Sequence, residues 1–67
     1  MKLRKLLSVI NPFEQVAIDN GTILPRDTAY NLMRELSLSQ LAQKVVRVRL
    51  EWSKNLAFYV VVLESAL

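Results

Sequence analysis

Two arginines in the second half of the chain have the spacing for binding chemistry. Arg47 and Arg49 alternate with apolar residues, so both guanidinium groups fall on one face of a predicted β-strand. A guanidinium group binds phosphate or carboxylate through two parallel hydrogen bonds. The pattern therefore indicates an anion-binding strand face. The simpler interpretation, in which the arginines only solvate the strand, stays open beside it.

Other residues could extend this face. Tyr59 lies beside the arginines in the favoured pairing of the last two strands, where its ring could stack on a base. Lys2, Arg4 and Lys5 form a second basic cluster near the N-terminus, and such clusters attract phosphate, acidic proteins or anionic lipid. The candidate residues for binding a partner or ligand are Arg47, Arg49, Tyr59, Lys2, Arg4 and Lys5.

The composition leaves little for catalysis. The chain has no Cys and no His, so it lacks thiolate and imidazole metal ligands and the commonest general base. Its six acidic residues show no spacing that pairs two carboxylates on one element, and its single Gly excludes a glycine-rich phosphate loop. We predict no catalytic residues, no metal site, no cofactor and no enzymatic activity.

The length and hydrophobic content point to a small domain with a partner. A chain of 67 residues predicts one domain over residues 1–67. Its hydrophobic fraction of 52% is slightly high for a domain with so little interior, so part of the apolar surface should contact a partner. Phe13 and Trp52 are expected in the core; in an oligomer they would instead be contact residues.

The apolar residues do not predict a membrane segment. The longest uninterrupted apolar run, Leu56–Leu63, is far shorter than the roughly 20 residues that a spanning helix needs. The N-terminal cations precede a short apolar stretch, but Pro12 interrupts it and no small-residue cleavage site follows. Together with the absence of cysteine, these features favour a cytoplasmic protein without membrane contact.

Hydrophobic periodicity predicts two helical regions. Residues 3–10 carry leucines and isoleucine at the spacing of one helical face, until an Asn-Pro pair ends the helix. A second helix is expected after an N-cap at Asp27 or Thr28. Its periodicity breaks at Ser37, which begins a capping-box pattern, so this region is either one kinked helix or two short helices through Gln43.

A first hairpin is predicted between the helical regions. Residues 14–19 alternate polar and apolar side chains, as in a strand with one buried face. Asn20 followed by Gly21 is the strongest short turn signal in the chain. Residues 22–24 should return antiparallel, and Pro25 should end the pairing because it has no N–H to donate.

A second hairpin is predicted from residues 45–52 and 56–64. A three-residue loop between them is favoured by the aromatic side chains. Phe58 then stands opposite Leu50 on the apolar face, while Tyr59 lies beside Arg49 with its hydroxyl accessible to water. A loop of two or four residues places Phe58 on the arginine face and turns Tyr59 inward.

The last predicted strand is apolar on both faces. A chain this short can hardly cover both faces of a sheet, so either the first helix or another subunit must shield the second face. In the favoured register Tyr59, Val61 and Leu63 lie on that second face. We therefore predict these three residues as the interface of a homo-oligomer.

The segment LLSVINPF at residues 6–13, followed by Val16 and Ile18, resembles the opening of short uncharacterised proteins of phages and mobile elements in Gram-positive bacteria. Those proteins share a leucine-rich first helix, an Asn-Pro or Asp-Pro break, a hairpin and two closing strands. The specific resemblance covers residues 3–18, and the chain departs from it at residues 41–45, where an acidic segment is expected. The resemblance implies a protein that binds a host component, antiviral defence included, and it assigns no catalytic or binding residue.

The sequence thus predicts a small α+β domain with the order helix, hairpin, helix or kinked helix pair, hairpin, and a mainly antiparallel sheet. The leading functional prediction is a non-enzymatic interaction protein of a phage or mobile element that forms a homo-oligomer and inhibits a host defence factor. One alternative is a small nucleic-acid-binding module that uses Arg47, Arg49 and the basic N-terminus. The other is sequestration of a nucleotide signal.

Overall fold

Short helices cover one face of a four-stranded sheet. The structure, a computed structural model, describes residues 1–22 and 25–64. The described elements are, in chain order, α1 (Leu3–Val9), β1 (Gln15–Asp19), β2 (Asp27–Thr28), α2 (Ala29–Glu35), α3 (Leu38–Leu41), β3 (Val45–Ser53) and β4 (Leu56–Leu63). They confirm the predicted α+β class and the single domain.

The sheet is mixed, with the strand order β2-β1-β4-β3. β1 pairs antiparallel with β2, and β3 pairs antiparallel with β4. The two central strands, β1 and β4, run parallel, with Ile18 opposite Val61. A parallel pair needs a crossover connection, and here α2, α3 and β3 lie within it. The sequence predicted the antiparallel pairing of β3 with β4, but it predicted neither the pairing of β1 with Asp27–Thr28 nor the parallel centre.

The core lies between the helices and one sheet face, which we call the helix face. The buried residues of this cluster are Leu3, Leu7, Val16, Ile18, Ala29, Leu32, Leu41, Val61 and Leu63. All three helices contribute to it, so α1 does not shield the opposite sheet face, which we call the open face. Val61 and Leu63 are buried inside the single chain and therefore cannot form the predicted oligomer interface.

α1 is stabilised by packing of its apolar face rather than by side-chain capping. The predicted leucine stripe is confirmed, with Leu3 and Leu7 buried and Leu6 and Ile10 packed against the core. The N-cap residue Lys2 makes no side-chain capping bond, and the first turn contains no acidic residue. A helix this short gains its stability from tertiary contacts of its apolar face.

The connection after β1 differs from the predicted tight hairpin. Gly21 has a φ of 108°, a conformation that favours glycine, and its N–H donates to Oδ1 of Asp19 at 3.1 Å. The predicted return strand, residues 22–24, begins in a bend, and its last two residues lie outside the described part of the chain. β1 pairs with β2 instead, so Pro25 precedes the pairing rather than ending it.

Side-chain caps separate α2 from α3. Oγ1 of Thr28 accepts a hydrogen bond from the Asn31 N–H at 3.2 Å, and Ser37 forms the predicted capping box with Gln40. The backbone of Leu36 is extended between the two helices. The region is therefore a pair of short helices rather than one kinked helix.

Thr28→Ala is expected to lower the free energy of unfolding by about 1 kcal/mol, because the first turn of α2 loses its side-chain acceptor. In a domain of this size that loss corresponds to a decrease in Tm of about 4–8 °C, measurable by circular dichroism. Thr22→Ala, at an exposed bend, is the matched control and should change stability by less than about 0.5 kcal/mol. Equal decreases in Tm for both variants would contradict the capping role.

Candidate functional site

The β3–β4 hairpin has a two-residue turn, so the predicted three-residue loop is wrong. Lys54 and Asn55 have φ values of 50° and 68°, and Ser53 stands opposite Leu56. Positive φ at both central positions is the signature of a type I′ turn, whose twist matches that of the flanking strands. This backbone preference prevails over the aromatic sorting that favoured the longer loop.

The observed register separates Tyr59 from the arginines. Tyr59 lies on the helix face, whereas Phe58 stands opposite Glu51 on the open face together with Arg47 and Arg49. The two-residue alternative considered from the sequence has this arrangement. The predicted grouping of Tyr59 with the arginines is wrong, and with it the proposed aromatic platform for a base.

Acidic groups accompany the arginines on the open face. Nε of Arg49 lies 3.2 Å from Oε1 of Glu51, two residues along the same strand. Arg47 shares a cross-strand row with Val62 and Asp19. The open face therefore presents both signs of charge rather than a cluster of cations, and phosphate-driven binding draws on clustered cations.

The apolar open face of β4 is shielded by side chains of the chain itself. Val60 is buried there, and it lies in one cross-strand row between buried Ala17 and half-buried Arg49, whose methylene groups can cover its neighbours. The guanidinium of Arg26 lies 4.7 Å from the ring centre of Phe58. This shielding removes the reason for placing a second subunit against β4.

The basic N-terminal residues lie apart from the arginine pair. Lys2 forms an isolated antiparallel bridge with Lys44, just before β3. Arg4 and Lys5 are exposed on α1, which packs on the helix face, whereas the arginines belong to the open face. The structure does not join the predicted binding residues into one basic surface.

The most exposed apolar side chains of the sheet belong to β3. Val48, Leu50 and Trp52 are 46%, 53% and 70% exposed, and we call these three residues the apolar stripe. They share the helix face with the core residues of β4. Among the described residues of β3, however, only Val45 packs against the buried cluster, and it is itself only partly buried. Trp52 is therefore not the predicted core residue, and neither is Phe13, which is also exposed.

The N-terminal segment occupies only the first part of the outer edge of β3. The N–H of Val45 donates to the Met1 carbonyl at 2.7 Å, and the N–H of Leu3 donates to the Gln43 carbonyl at 2.9 Å. A bulge between Val45 and Arg47 then interrupts the regular ladder. Beyond the bulge, no strand of the described part of the chain pairs with this edge.

The free backbone groups of the edge belong to the apolar stripe. The residues that flank a two-residue turn form a hydrogen-bonded pair, which here is Ser53 with Leu56. Hydrogen-bonded and non-bonded pairs alternate along an antiparallel ladder. The N–H and C=O groups of Val48, Leu50 and Trp52 are consequently directed away from β4, toward the open edge.

The other surface features of the described residues do not indicate a binding or catalytic site. A depression of about 330 Å³ is lined by Asn20, Ser39, Gln40 and Gln43, which supply no titratable group. Within residues 1–22 and 25–64, no three potential metal-ligating side chains come together. None of the helices described there has the length and apolarity needed to cross a membrane.

Sequence reasoning missed the apolar stripe because it assigned these residues to the core. The signal that could have revealed it is the contrast between the hairpin strands: β4 is apolar on both faces and so belongs at the centre of the sheet. Its hairpin partner β3 then becomes the edge. Comparison with known proteins found no matching family model, curated protein or solved structure, so this edge is interpreted from its own geometry.

Proposed function

We propose that this chain is a non-enzymatic interaction protein that associates with a second copy of itself through the outer edge of β3. The observation that carries the proposal is that the apolar stripe coincides with backbone groups that no strand within residues 1–22 and 25–64 pairs. A paired strand would satisfy the N–H and C=O groups and would bury the exposed side chains at the same time.

A second copy fits this edge through its charges. The open-face side of β3 carries Arg47, Arg49 and Glu51, so an antiparallel copy can bring cations next to anions. Opposite charges across strands stabilise a sheet, and a closed two-fold pair uses the same patch on both copies. A strand with one sign of charge would repel its own copy.

The native chain is expected to form dimers with a Kd on the order of 1 μM, since a contact of one edge strand is small. Sedimentation velocity from about 0.05 to 100 μM brackets that value and should show a rise from the 7.7 kDa chain to twice this mass. A monomer across the whole range contradicts the proposal. So does open-ended growth into larger species, which is the behaviour of an unprotected edge.

The other functions stay predictions. Inhibition of a host defence factor is implied by the resemblance to short phage proteins and has no further support in the geometry of β3. Nucleic-acid binding and sequestration of a nucleotide signal draw on the arginines, and the ion pair of Arg49 with Glu51 weakens that support. Self-association is the function that the exposed side chains favour.

A further inference from the structure

We infer that two copies pair their β3 strands antiparallel with Leu50 on the two-fold axis, so that Arg49 of each copy faces the partner's Glu51. This inference rests on the proposed self-association and adds the register of the contact. Three features of β3 support this register: the limits of its free edge, the direction of its backbone groups and the order of its charges.

The free edge runs over residues 47–53. On one side, the N–H of Val45 is already donated to Met1, and the bulge before Arg47 breaks the regular spacing. On the other side, the turn at Lys54 and Asn55 ends the strand. A symmetric antiparallel pair that uses the whole segment is centred on its middle residue, which is Leu50.

The backbone groups restrict the possible centres. Hydrogen bonds between the copies require that outward-directed residues of one strand stand opposite outward-directed residues of the other. Val48, Leu50 and Trp52 are the outward-directed residues. The two-fold axis must therefore place one residue opposite its own copy, rather than placing two neighbouring residues of the strand opposite each other. Centring on Leu50 meets this condition, because Leu50 then faces its own copy and Val48 faces the partner's Trp52.

The charges select among the centres that remain. With Leu50 on the axis, Arg49 faces the partner's Glu51 twice and Arg47 faces the partner's Ser53. Moving the axis to Arg49 places two arginines opposite each other, and moving it to Glu51 places two glutamates opposite each other. Centring on Leu50 is the arrangement of these three that has opposite charges in register without a like-charged pair.

The same register buries the apolar stripe. A two-fold axis normal to an antiparallel pair keeps the helices of both copies on one side of the joined sheet. The Trp52 side chains, the most exposed of the stripe, then cover Val48 of the other copy, and the two Leu50 side chains meet at the centre. Both faces of β3 therefore gain complementary neighbours from one placement.

Charge reversal tests the register without relying on the ion pair inside each chain. Arg49→Glu or Glu51→Arg alone should weaken the homodimer about tenfold, because like charges then face each other twice. An equimolar mixture of the two variants should form a heterodimer within about threefold of the native Kd. In the mixture, two acidic side chains of one chain face two basic side chains of the other, although the ion pair within each chain stays broken.

Arg47→Glu is the matched control. It reverses the charge of an arginine on the same strand face, but in this register it faces the partner's Ser53 and should change the Kd by less than about threefold. If Arg47→Glu weakens the dimer as much as Arg49→Glu, or if mixing fails to restore association, the register is overturned while self-association stands. If the native chain is monomeric throughout, self-association itself fails.

Cysteine cross-linking gives a second readout that does not depend on charge. The sequence contains no cysteine, so single introduced thiols report one position each. Facing residues of a non-hydrogen-bonded antiparallel pair have Cα atoms about 4.5 Å apart, within the range of a disulfide. Oxidising a mixture of Arg49→Cys and Glu51→Cys should therefore link unlike chains. Efficient linkage in Arg49→Cys alone would move the axis to residue 49 and overturn the inference.

Discussion

Leu50→Lys is expected to convert the proposed dimer into a folded monomer. The substitution removes two leucines from the centre of the contact, each worth about 1.5–3 kcal/mol when fully buried, and places two ammonium groups opposite each other. The Kd should rise by at least about 100-fold. Because Leu50 is exposed in the single chain, the fold should persist. Sedimentation velocity measures the association, and circular dichroism verifies the fold.

Leu38→Lys provides the matched control for this experiment. Leu38 is even more exposed than Leu50, at 79%, but it lies on α3 rather than on β3. The same chemical change there should leave the Kd within about threefold of the native value. Equal loss of association in the two variants would indicate contact through general surface hydrophobicity, and a persistent Leu50→Lys dimer would place the contact elsewhere.

Leu63→Ala is expected to lower the free energy of unfolding by about 2–5 kcal/mol. Leu63 is 4% exposed and belongs to the core cluster with the helices, opposite Val45. Truncating it leaves a cavity that the packed helices cannot fully close. A small domain has a total stability near the lower end of about 5–15 kcal/mol, so we expect this loss to remove much of the stability of the fold. Urea unfolding at one fixed chain concentration measures the loss.

Leu56→Ala is the control on the same strand. Leu56 is 44% exposed at the start of β4, and its truncation should cost less than about 1 kcal/mol. The pair of variants also distinguishes core from interface. If Leu63→Ala left the free energy of unfolding unchanged and weakened only the dimer, the result would support the interface predicted from the sequence.

Local signals predicted the local structure. The leucine spacing gave α1, and the Ser37 and Gln40 pattern gave the cap that separates α3 from α2, because each feature depends on side chains only a few residues apart. The parallel pairing of β1 with β4 joins residues as distant as Val16 and Tyr59. No short-range pattern encodes such a pairing, so the parallel neighbour of β4 could not be predicted, although the two apolar faces of β4 indicate a central strand.

The candidate site was predicted only in part. Arg47 and Arg49 share a strand face, as their spacing indicated. The position of Tyr59 depended on one residue of loop length, and a slip of one residue moves every side chain of a strand to the other face. The exposure of Trp52 follows from the strand order, which determines how far across the sheet the helices cover the strands. The periodicity of β3 alone therefore could not predict the exposure of Trp52.

The shortness of β2 limits how large an assembly can become. A sheet has two outer strands, and here one is β3 while the other is β2, which has only two residues. Two copies joined through β3 would leave a β2 strand at each end of the combined sheet. A strand of that length offers too few backbone groups to template another chain. Pairing through β3 thus consumes the long edges of both copies, and among the described strands the sheet has no means of growing into a fibre.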